Sequence, residues 1–313
     1  MGTMTVVELV GAARAELGLF PISTTVVSSS QEIDQQMLYL LNQLGRELQQ
    51  RTTWTALQTE RIITTREIIQ TTGDTTEDSA VITNIPSTAG ITANIWVVSG
   101  DNIVISSRVT SVDSSSQITM SELATATGTG VALTFAQDTY SFPTDFGSFV
   151  SDTWWDRSNR WQLLGPTSPQ YDQFLRSGIV TTTPRRNWRE IGRLPSAWRV
   201  WPPPGTTDPR LTFVFEYNSL NWATGSGGTT RAAVTQDTDT TVFPDALMIA
   251  GLKLKYFQAK GFDTTNLQMT YDALYATALA NDGGASRLNM GQRVPQPYLL
   301  NYWNIPDSGY GNS

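Results

Sequence analysis

The residues that could do chemistry are concentrated in one stretch, DTWWDRSNRWQLLGP, which occupies residues 152–166. Asp152 and Asp156 lie here, and Glu190 follows further along the chain. Two carboxylates that flank a glycosidic bond can act as acid and base in its hydrolysis. Nothing in the sequence fixes the separation of these three carboxylates, and aspartates next to arginines usually form ion pairs. Catalysis by this set is therefore the weaker interpretation.

The same stretch carries three tryptophans, and seven of the ten tryptophans of the chain fall between residues 154 and 222. Such rings can stack on nucleic-acid bases or form a platform for a sugar. Base stacking needs a basic groove, whereas the charges around these rings are balanced. We therefore predict that Trp154, Trp155, Trp161 and Trp188 pack the core of a β-domain and hold neighbouring subunits together.

The composition removes several kinds of active site. No histidine and no cysteine occurs among the 313 residues, which excludes thiol nucleophiles, Ser-His-Asp triads and histidine-ligated metals. The runs GDTTED (73–78) and DTD (237–239) offer oxygen atoms to calcium, but without EF-hand spacing we interpret them as turn caps. We expect no enzymatic activity, no cofactor and no metal.

The charge of the chain is acidic, with 21 Lys+Arg against 28 Asp+Glu and a net charge of −7. Such a protein is a poor candidate for coating nucleic acid, although DNA could slide past it. The lysines lie at 253, 255 and 260, so the other basic residues are all arginines. Arginine suits fixed ion pairs at interfaces better than lysine does. The base composition of the genome would explain the excess of arginine equally well. No apolar run of membrane-spanning length occurs, so we expect no contact with a membrane.

Apolar residues at helical spacing predict two helix pairs. Residues 5–19 form one helix, and a capping box of Ser29 and Glu32 opens a second helix that ends near Arg51. In the last third of the chain, one helix opens at Pro244 and another ends at the run NDGG (281–284). Each pair is expected to be antiparallel, and together they are predicted to form a four-helix bundle.

Strand signals fill the region between the helix pairs. Isoleucines among threonines favour a strand around residues 60–69. Residues 72–137 alternate short β-type runs with turns, which is typical of a small antiparallel sandwich or barrel. Further strands are predicted around RRNWREIG, AWRVW and LTFVFEYN, and the run SPQYDQFLRSG (168–178) predicts a short helix.

The end of the chain, residues 285–313, has neither helix nor strand period, yet it is too apolar for typical disorder. We predict that it is a tail that docks on another chain. The apolar residues of this tail are Tyr298, Leu299, Leu300, Tyr302, Trp303 and Ile305.

Three stretches carry a resemblance to a known family. They are LQQRTTWTALQ (48–58), YSFPTDFGSFVSDTWWDRSNRWQLLGPTSPQYDQFLRSGI (140–179), and residues 243–284 from FPDALMIAGLKLKYFQAKGFD to ALANDGG. They resemble the head-to-tail adaptor (connector) proteins of short-tailed double-stranded DNA bacteriophages. Two more stretches, DSAVITNIPSTAG (78–90) and VTSVDSSSQITMSELATATGTGVALTF (109–135), resemble a small β module of phage virion proteins. That module would replace a tight turn in shorter adaptors.

The resemblance implies a homo-oligomeric ring, commonly a dodecamer, that lies beneath the portal protein and extends the DNA channel. It implies that the C-terminal tail enters grooves of the portal, and that the lower side of the ring receives a tail nozzle or tail tube protein. Genomic DNA would pass through the lumen without specific binding. The location would be the neck of the virion, between capsid and tail.

The sequence as a whole therefore predicts an α+β protein: an antiparallel four-helix bundle, a β-rich domain between the helix pairs, an inserted small β-sandwich or barrel, and an extended C-terminal tail. The expected divisions are an N-terminal helix pair with a first strand (1–71), an all-β module (72–137), an aromatic β-rich domain (138–242), a helix pair (243–284) and the tail (285–313). Two alternatives remain open, a carbohydrate-binding or glycan-cleaving phage tail protein and a tail-nozzle subunit.

Overall fold

A computed structural model describes residues 2–20, 24–178, 185–192, 197–207 and 209–283 of the chain. Five α-helices and a short 3-10 turn, Thr55–Leu57, occur within these ranges. The helices are α1 Val6–Glu16, α2 Glu32–Arg51, α3 Pro169–Arg176, α4 Asp245–Lys260 and α5 Thr265–Gly283.

Seventeen strands occur in the same described ranges, and all of their pairings within sheets are antiparallel. They are β1 Gln58–Thr64, β2 Ile69–Thr75, β3 Val81–Ile82, β4 Trp96–Gly100, β5 Val109–Ser114, β6 Gln117–Met120, β7 Gly128–Gln137, β8 Thr139–Ser141, β9 Phe146–Phe149, β10 Trp155–Asp156, β11 Trp161–Gln162, β12 Asn187–Ile191, β13 Ala197–Trp201, β14 Thr212–Ser219, β15 Ala223–Thr224, β16 Thr230–Arg231 and β17 Thr240–Thr241.

Helix α4 is the centre of the helical layer. It packs against α1, α2 and α5, whereas α1 and α2 meet each other over only a few residues. Its buried residues include Leu247, Met248, Leu252 and Leu254, which lie on different sides of the helix. A helix that is apolar on several sides is a core helix, because a surface helix buries only one stripe.

The predicted four-helix bundle is therefore wrong. The structure is α+β and rich in antiparallel sheets. Helices α1, α2 and α5 pack around α4 and do not share one central seam. Rings from outside the helices fill part of the helical core: Trp54 and Trp222 both pack against Phe243, at centroid distances of 5.2 and 6.3 Å. Helical periodicity shows which side chains point inward, but it does not show which element they meet.

The first two helices begin in a different way from the prediction. The capping box lies at Thr5 and Glu8, at the start of α1. Helix α2 follows Gln31, which makes no side-chain cap. The predicted box at Ser29 does not form, because its hydroxyl donates to the buried carboxylate of Asp34 (2.6 Å), which is also the ion-pair partner of Arg14.

The aromatic domain has two sheets around one core. One sheet has the order β1-β14-β10-β11, with β9 also paired to β14, and the other has the order β12-β13-β8. Alternate residues of β14 face this core, including Phe213, Phe215 and Tyr217. The predicted strands in this region and the helix α3, which is capped by Ser168, are confirmed.

The segment between β1 and β8 has its own small core. The sheets β2-β7-β4 and β3-β6-β5 enclose it, and the largest rings of that core are Trp96 and Phe135. The single strand predicted around residues 60–69 is two strands: β1 ends at Thr64 and pairs with β14, and β2 begins at Ile69 and pairs with β7. We call residues 69–137 the β-module.

Candidate functional site

The aromatic rings singled out from the sequence lie mainly inside the aromatic domain. The Trp154 ring is stacked on Trp188 and on Phe215, at centroid distances of 3.9 and 4.0 Å, and Trp198 meets it edge-on at 5.0 Å. The indole N–H groups of Trp154 and Trp188 have no hydrogen-bond partner in the described part of the chain. These rings therefore contribute apolar packing to the core, and they offer no platform to a sugar or a base.

The remaining two tryptophans of that set lie further out. Trp155 is half-buried in β10, and Trp161 in β11 is 44% exposed. A neighbouring molecule can therefore contact Trp161, whereas Trp154 is buried. Its role in contact between subunits stays a prediction.

The carboxylates considered for catalysis differ in their surroundings. Asp156 is buried, accepts hydrogen bonds from the backbone N–H groups of Ser158 and Asn159, and pairs with Arg186 at 3.2 Å. Asp152 and Glu190 are exposed. The hydrogen bonds of Asp156 hold a tight turn between β10 and β11, which is a structural role.

The runs considered for calcium also hold turns. Asp239 accepts from the N–H groups of Thr235 and Gln236, and the Asp237 carboxylate accepts from the N–H groups of Val26 and Val27, each at 2.8–2.9 Å. Asp74 accepts from the Asn84 side chain and from the N–H of Gly130, and these bonds hold its pKa below the ordinary value. The described residues contain no cluster of three or more acidic side chains arranged around a metal-sized space.

Helix α5 has an outward face that the sequence reading missed. Only Tyr271 and Ala278 of this helix are buried, and Leu267 and Leu274 pack beside them. On the opposite side, four apolar residues are exposed and recur at spacings of four, three and four. They are Met269, Ala273, Ala276 and Ala280.

This outward face of α5 is unusual for a surface helix, whose exposed side is normally charged. Asp272 is the only charged residue between positions 264 and 281, and Met269 is 68% exposed. The signal was present in the sequence as a run almost without charge. The inward stripe is enough to predict a helix here, so the apolar residues on the outward side were missed.

A groove runs along the exposed side of α2. Its volume is about 970 Å³, and Tyr39 on its wall is 73% exposed. The other side chains of the wall are largely polar, among them Gln35, Asn42, Arg46 and Gln50. The groove is a second surface that a protein partner could cover.

The tail residues predicted to dock on the portal, Tyr298, Leu299, Leu300, Tyr302, Trp303 and Ile305, lie outside the described residues. The described chain ends at Gly283, just after Asp282, whose carboxylate accepts from the backbone N–H groups of Thr55 and Ala56. The last described residues of α5 therefore lie beside the 3-10 turn that follows α2. None of the helices in the described ranges is both long enough and apolar enough to cross a bilayer.

Comparison with protein families gives a match. A family model described as SU10 adaptor protein matches residues 113–295, which is more than half of the chain. The matched segment begins in β5 of the β-module, contains the strands of the aromatic domain from β8 to β14 but not β1, and continues through α4 and α5. A search of curated proteins finds no match.

Proposed function

The chain belongs to the SU10 adaptor protein family, which makes it a bacteriophage adaptor and a virion component, and we propose that it is the head-to-tail adaptor of a short-tailed double-stranded DNA phage. In this role it forms a ring below the portal protein and extends the DNA channel toward the tail. The ring is a homo-oligomer, commonly twelvefold in proteins of this kind. Its mechanism is assembly, without covalent chemistry.

The observation that carries ring formation is the apolar outward face of α5. Met269, Ala273 and Ala276 expose apolar surface on a helix side that a monomer would leave in water. Contiguous exposed apolar surface marks a protein interface. Spacings of four, three and four are those of helices that pack along their length, and alanine lets two helices approach closely.

A closed ring needs two different surfaces on each subunit, because every subunit contacts its neighbours head to tail. The outward face of α5 supplies one of them. The groove along α2 supplies a candidate for the other, with Tyr39 as its most exposed ring. Tyrosine is enriched at protein interfaces, and a polar groove suits the rim of such a contact.

The tail, residues 285–313, is proposed to bind the portal. Ordering of a segment when it binds a partner takes about 2–5 kcal/mol from the gross contact energy. A ring offsets this cost, because once one tail is bound the others bind at high effective concentration. Tyr302 and Trp303 are proposed as the principal anchors, since aromatic residues carry much of the energy of protein contacts.

Removal of the tail tests this proposal. A chain that ends at residue 285 should fold, because the cores of the described structure lie within residues 6–278, but it should no longer join heads to tails. The assay is in vitro complementation of adaptor-deficient heads, scored by plaque formation and by electron microscopy. Full-length chain is the control. Normal incorporation of the shortened chain into particles would refute the role of the tail.

The acidic balance of the chain supports passage of DNA without tight binding. A net charge of −7 gives little attraction to phosphate, and strong contacts would slow the exit of the genome. Purified ring and duplex DNA should therefore form no tight complex that is sensitive to salt. Such a complex, if found at moderate ionic strength, would contradict this part of the proposal.

A tail-nozzle subunit is the second candidate. Such a subunit would contain more β-structure than the sequence predicts, and the structure has five antiparallel sheets in its described part. The adaptor family match favours the first candidate. Position along the neck separates the two: an adaptor touches the portal, and a nozzle subunit does not. The glycan-binding alternative loses its main support, since Trp154 and Trp188 lie in the core.

A further inference from the structure

Three guanidinium groups converge on one buried carboxylate oxygen. Asp138, between β7 and β8, has no exposed side-chain surface. Arg108 of the β-module donates to both of its oxygens, at 2.9 and 2.6 Å. Arg176 of α3 and Arg199 of β13 lie 3.4 and 3.7 Å from the same Oδ2 atom.

A second carboxylate does not balance these charges. Asp172 of α3 pairs with Arg176 at 3.2 Å and also with a fourth arginine, Arg189 of β12, at 3.1 Å. Arg189 and Arg199 lie directly opposite each other in the pairing of β12 with β13, where like charges repel. Four arginines thus face two aspartates, which leaves a surplus of two positive charges.

Neighbouring charged groups do not remove the surplus. Glu190 follows Arg189 in β12, so its side chain points to the opposite face of that strand. Arg186, which lies near Tyr140, has Asp156 as its partner. The charged groups that act on Arg199 are Asp138, Asp172, Arg108 and Arg176.

Two donors of this arginine cluster are left over. Arg176 Nη2 is buried and has no hydrogen-bond partner among the described residues, and the buried Nε of Arg199 is the atom that lies 3.7 Å from Asp138 Oδ2, which is too far for a hydrogen bond. Burial, followed by the positive charge of Arg108, lowers the pKa of Arg199 to about 10. A recess in which four arginines face two aspartates carries uncompensated positive charge, which is costly and favours an added anion.

The cluster is recessed but open to solvent. The side chain of Arg176 is 8% exposed, whereas those of Arg108, Arg199 and Arg189 are 15, 22 and 23% exposed. A small group can therefore reach them from one side, while a broad surface could not touch Arg176. The planar fork of arginine matches the two oxygens of a carboxylate or a phosphate group.

We propose that Arg108, Arg176, Arg189 and Arg199 form a binding site for one small oxyanion, a carboxylate or a phosphate group, which enters beside Arg199. The anion would accept from the terminal guanidinium nitrogens of Arg199 and Arg189, the two most exposed arginines of the cluster. It would tie together the three elements that meet here: the β-module, helix α3 and the β12-β13-β8 sheet. This site goes beyond the adaptor role and does not depend on it.

Titration of the full-length protein with two small anions tests the site. Inorganic phosphate and acetate are added in separate isothermal titrations, each at ionic strength matched with sodium chloride. We expect saturable binding of at least one of them, with one site per chain. The variant Arg199→Gln should fold, because the side chain of Arg199 makes no hydrogen bond in the described structure, and it should bind about tenfold more weakly or worse.

Arg157→Gln is the matched control, since Arg157 is exposed and pairs with exposed Glu60 away from the cluster; it should bind as the unchanged protein does. Tighter binding of phosphate would identify the ligand as a phosphoryl group, and tighter binding of acetate would identify it as an acidic side chain. The proposal is overturned if neither anion saturates, or if Arg199→Gln binds both as tightly as the unchanged protein. Binding of a DNA duplex without binding of either small anion would also overturn it.

Discussion

The indole of Trp222 packs directly on Gly45 of α2, in the space that a side chain at this position would occupy. Trp222 is fully buried and follows β14, so this contact joins the end of the aromatic domain to the helical layer. The same ring stacks near Phe243, which precedes α4. A glycine in the middle of a long helix is explained here by close approach of a ring.

Substitution Gly45→Ala should destabilise the protein, although alanine is the better helix former. Helix propensity favours alanine by about 1 kcal/mol. A Cβ at residue 45 would overlap the Trp222 ring, and overpacking of this kind costs about 1–3 kcal/mol, so the packing effect should win. Urea denaturation followed by tryptophan fluorescence measures the change in free energy of unfolding.

Gly205→Ala is the matched control, because a Cβ at residue 205 meets no atom within 4 Å. It should be neutral, or slightly stabilising through lower entropy of the unfolded chain. Equal effects of the two substitutions would show that the Gly45–Trp222 contact is not close in solution.

Alkaline pH should destabilise the folded chain through Tyr217. Burial, followed by a hydrogen bond to Asp145, raises the pKa of Tyr217 from 10.0 to about 12. Between these two values the unfolded chain loses the phenolic proton while the folded chain keeps it, so unfolding becomes more favourable as pH rises. Stability is therefore fully present below pH 10 and declines through pH 12.

The variant Tyr217→Phe should lose less stability over that interval than the unchanged protein, as measured by urea midpoints at a series of pH values. Part of the decline should remain, because burial also raises the pKa of Tyr140 and Tyr271. Tyr39→Phe, at a ring that is 73% exposed, serves as the control. An identical alkaline decline in Tyr217→Phe and in the unchanged protein would contradict the assignment.

A lysine on the outward face of α5 should prevent ring formation and leave the subunit folded. Ala276→Lys places a charge within the apolar stripe, where a neighbouring helix would have to desolvate it. Helical content should not change, since lysine is a good helix former. Analytical ultracentrifugation of the protein under assembling conditions gives the oligomeric state, and circular dichroism gives the fold.

Ala15→Lys makes the same substitution at an exposed position of α1 and should assemble normally. Rings formed by Ala276→Lys with unchanged yield would show that this face of α5 is not the interface. The family membership of the chain would stand in that case, and only the surface would have to be assigned anew.

Deletion of the β-module should leave the other two cores folded. Its strands pair only with one another, and its apolar core is separate from the helical and aromatic cores. A chain in which a two-residue turn replaces residues 69–137 should keep helical circular dichroism and the near-ultraviolet signal of the buried tryptophans. Loss of both signals would mean that the module is not autonomous.

Local patterns in the sequence were sufficient for most elements. The helix α2, the short helix α3 in the run SPQYDQFLRSG and the strand β14 in the run LTFVFEYN each depend on neighbours within one element, and all three form as predicted. The break between β1 and β2 was missed because isoleucines and threonines continue on both sides, while the partner strand changes from β14 to β7.

What the sequence could not provide was contact between distant residues. The central position of α4 depends on Leu252 and Met248 meeting partners far away in the chain. The arginine cluster brings together Arg108, Arg176 and Arg199, which no sequence spacing connects. Assignment of the tail to the portal stays a prediction.

The central claim, that this chain is the ring between portal and tail, is tested most directly by averaged electron microscopy of virions in which the chain carries a label at an exposed loop. Gly227 and Gly228 lie in the turn between β15 and β16, where an added Cβ would meet no atom within 4 Å, and they suit an insertion there. The account predicts extra density in one ring of the neck, in contact with the portal. Label density elsewhere in the virion, or none in particles that contain a complete neck, would contradict it.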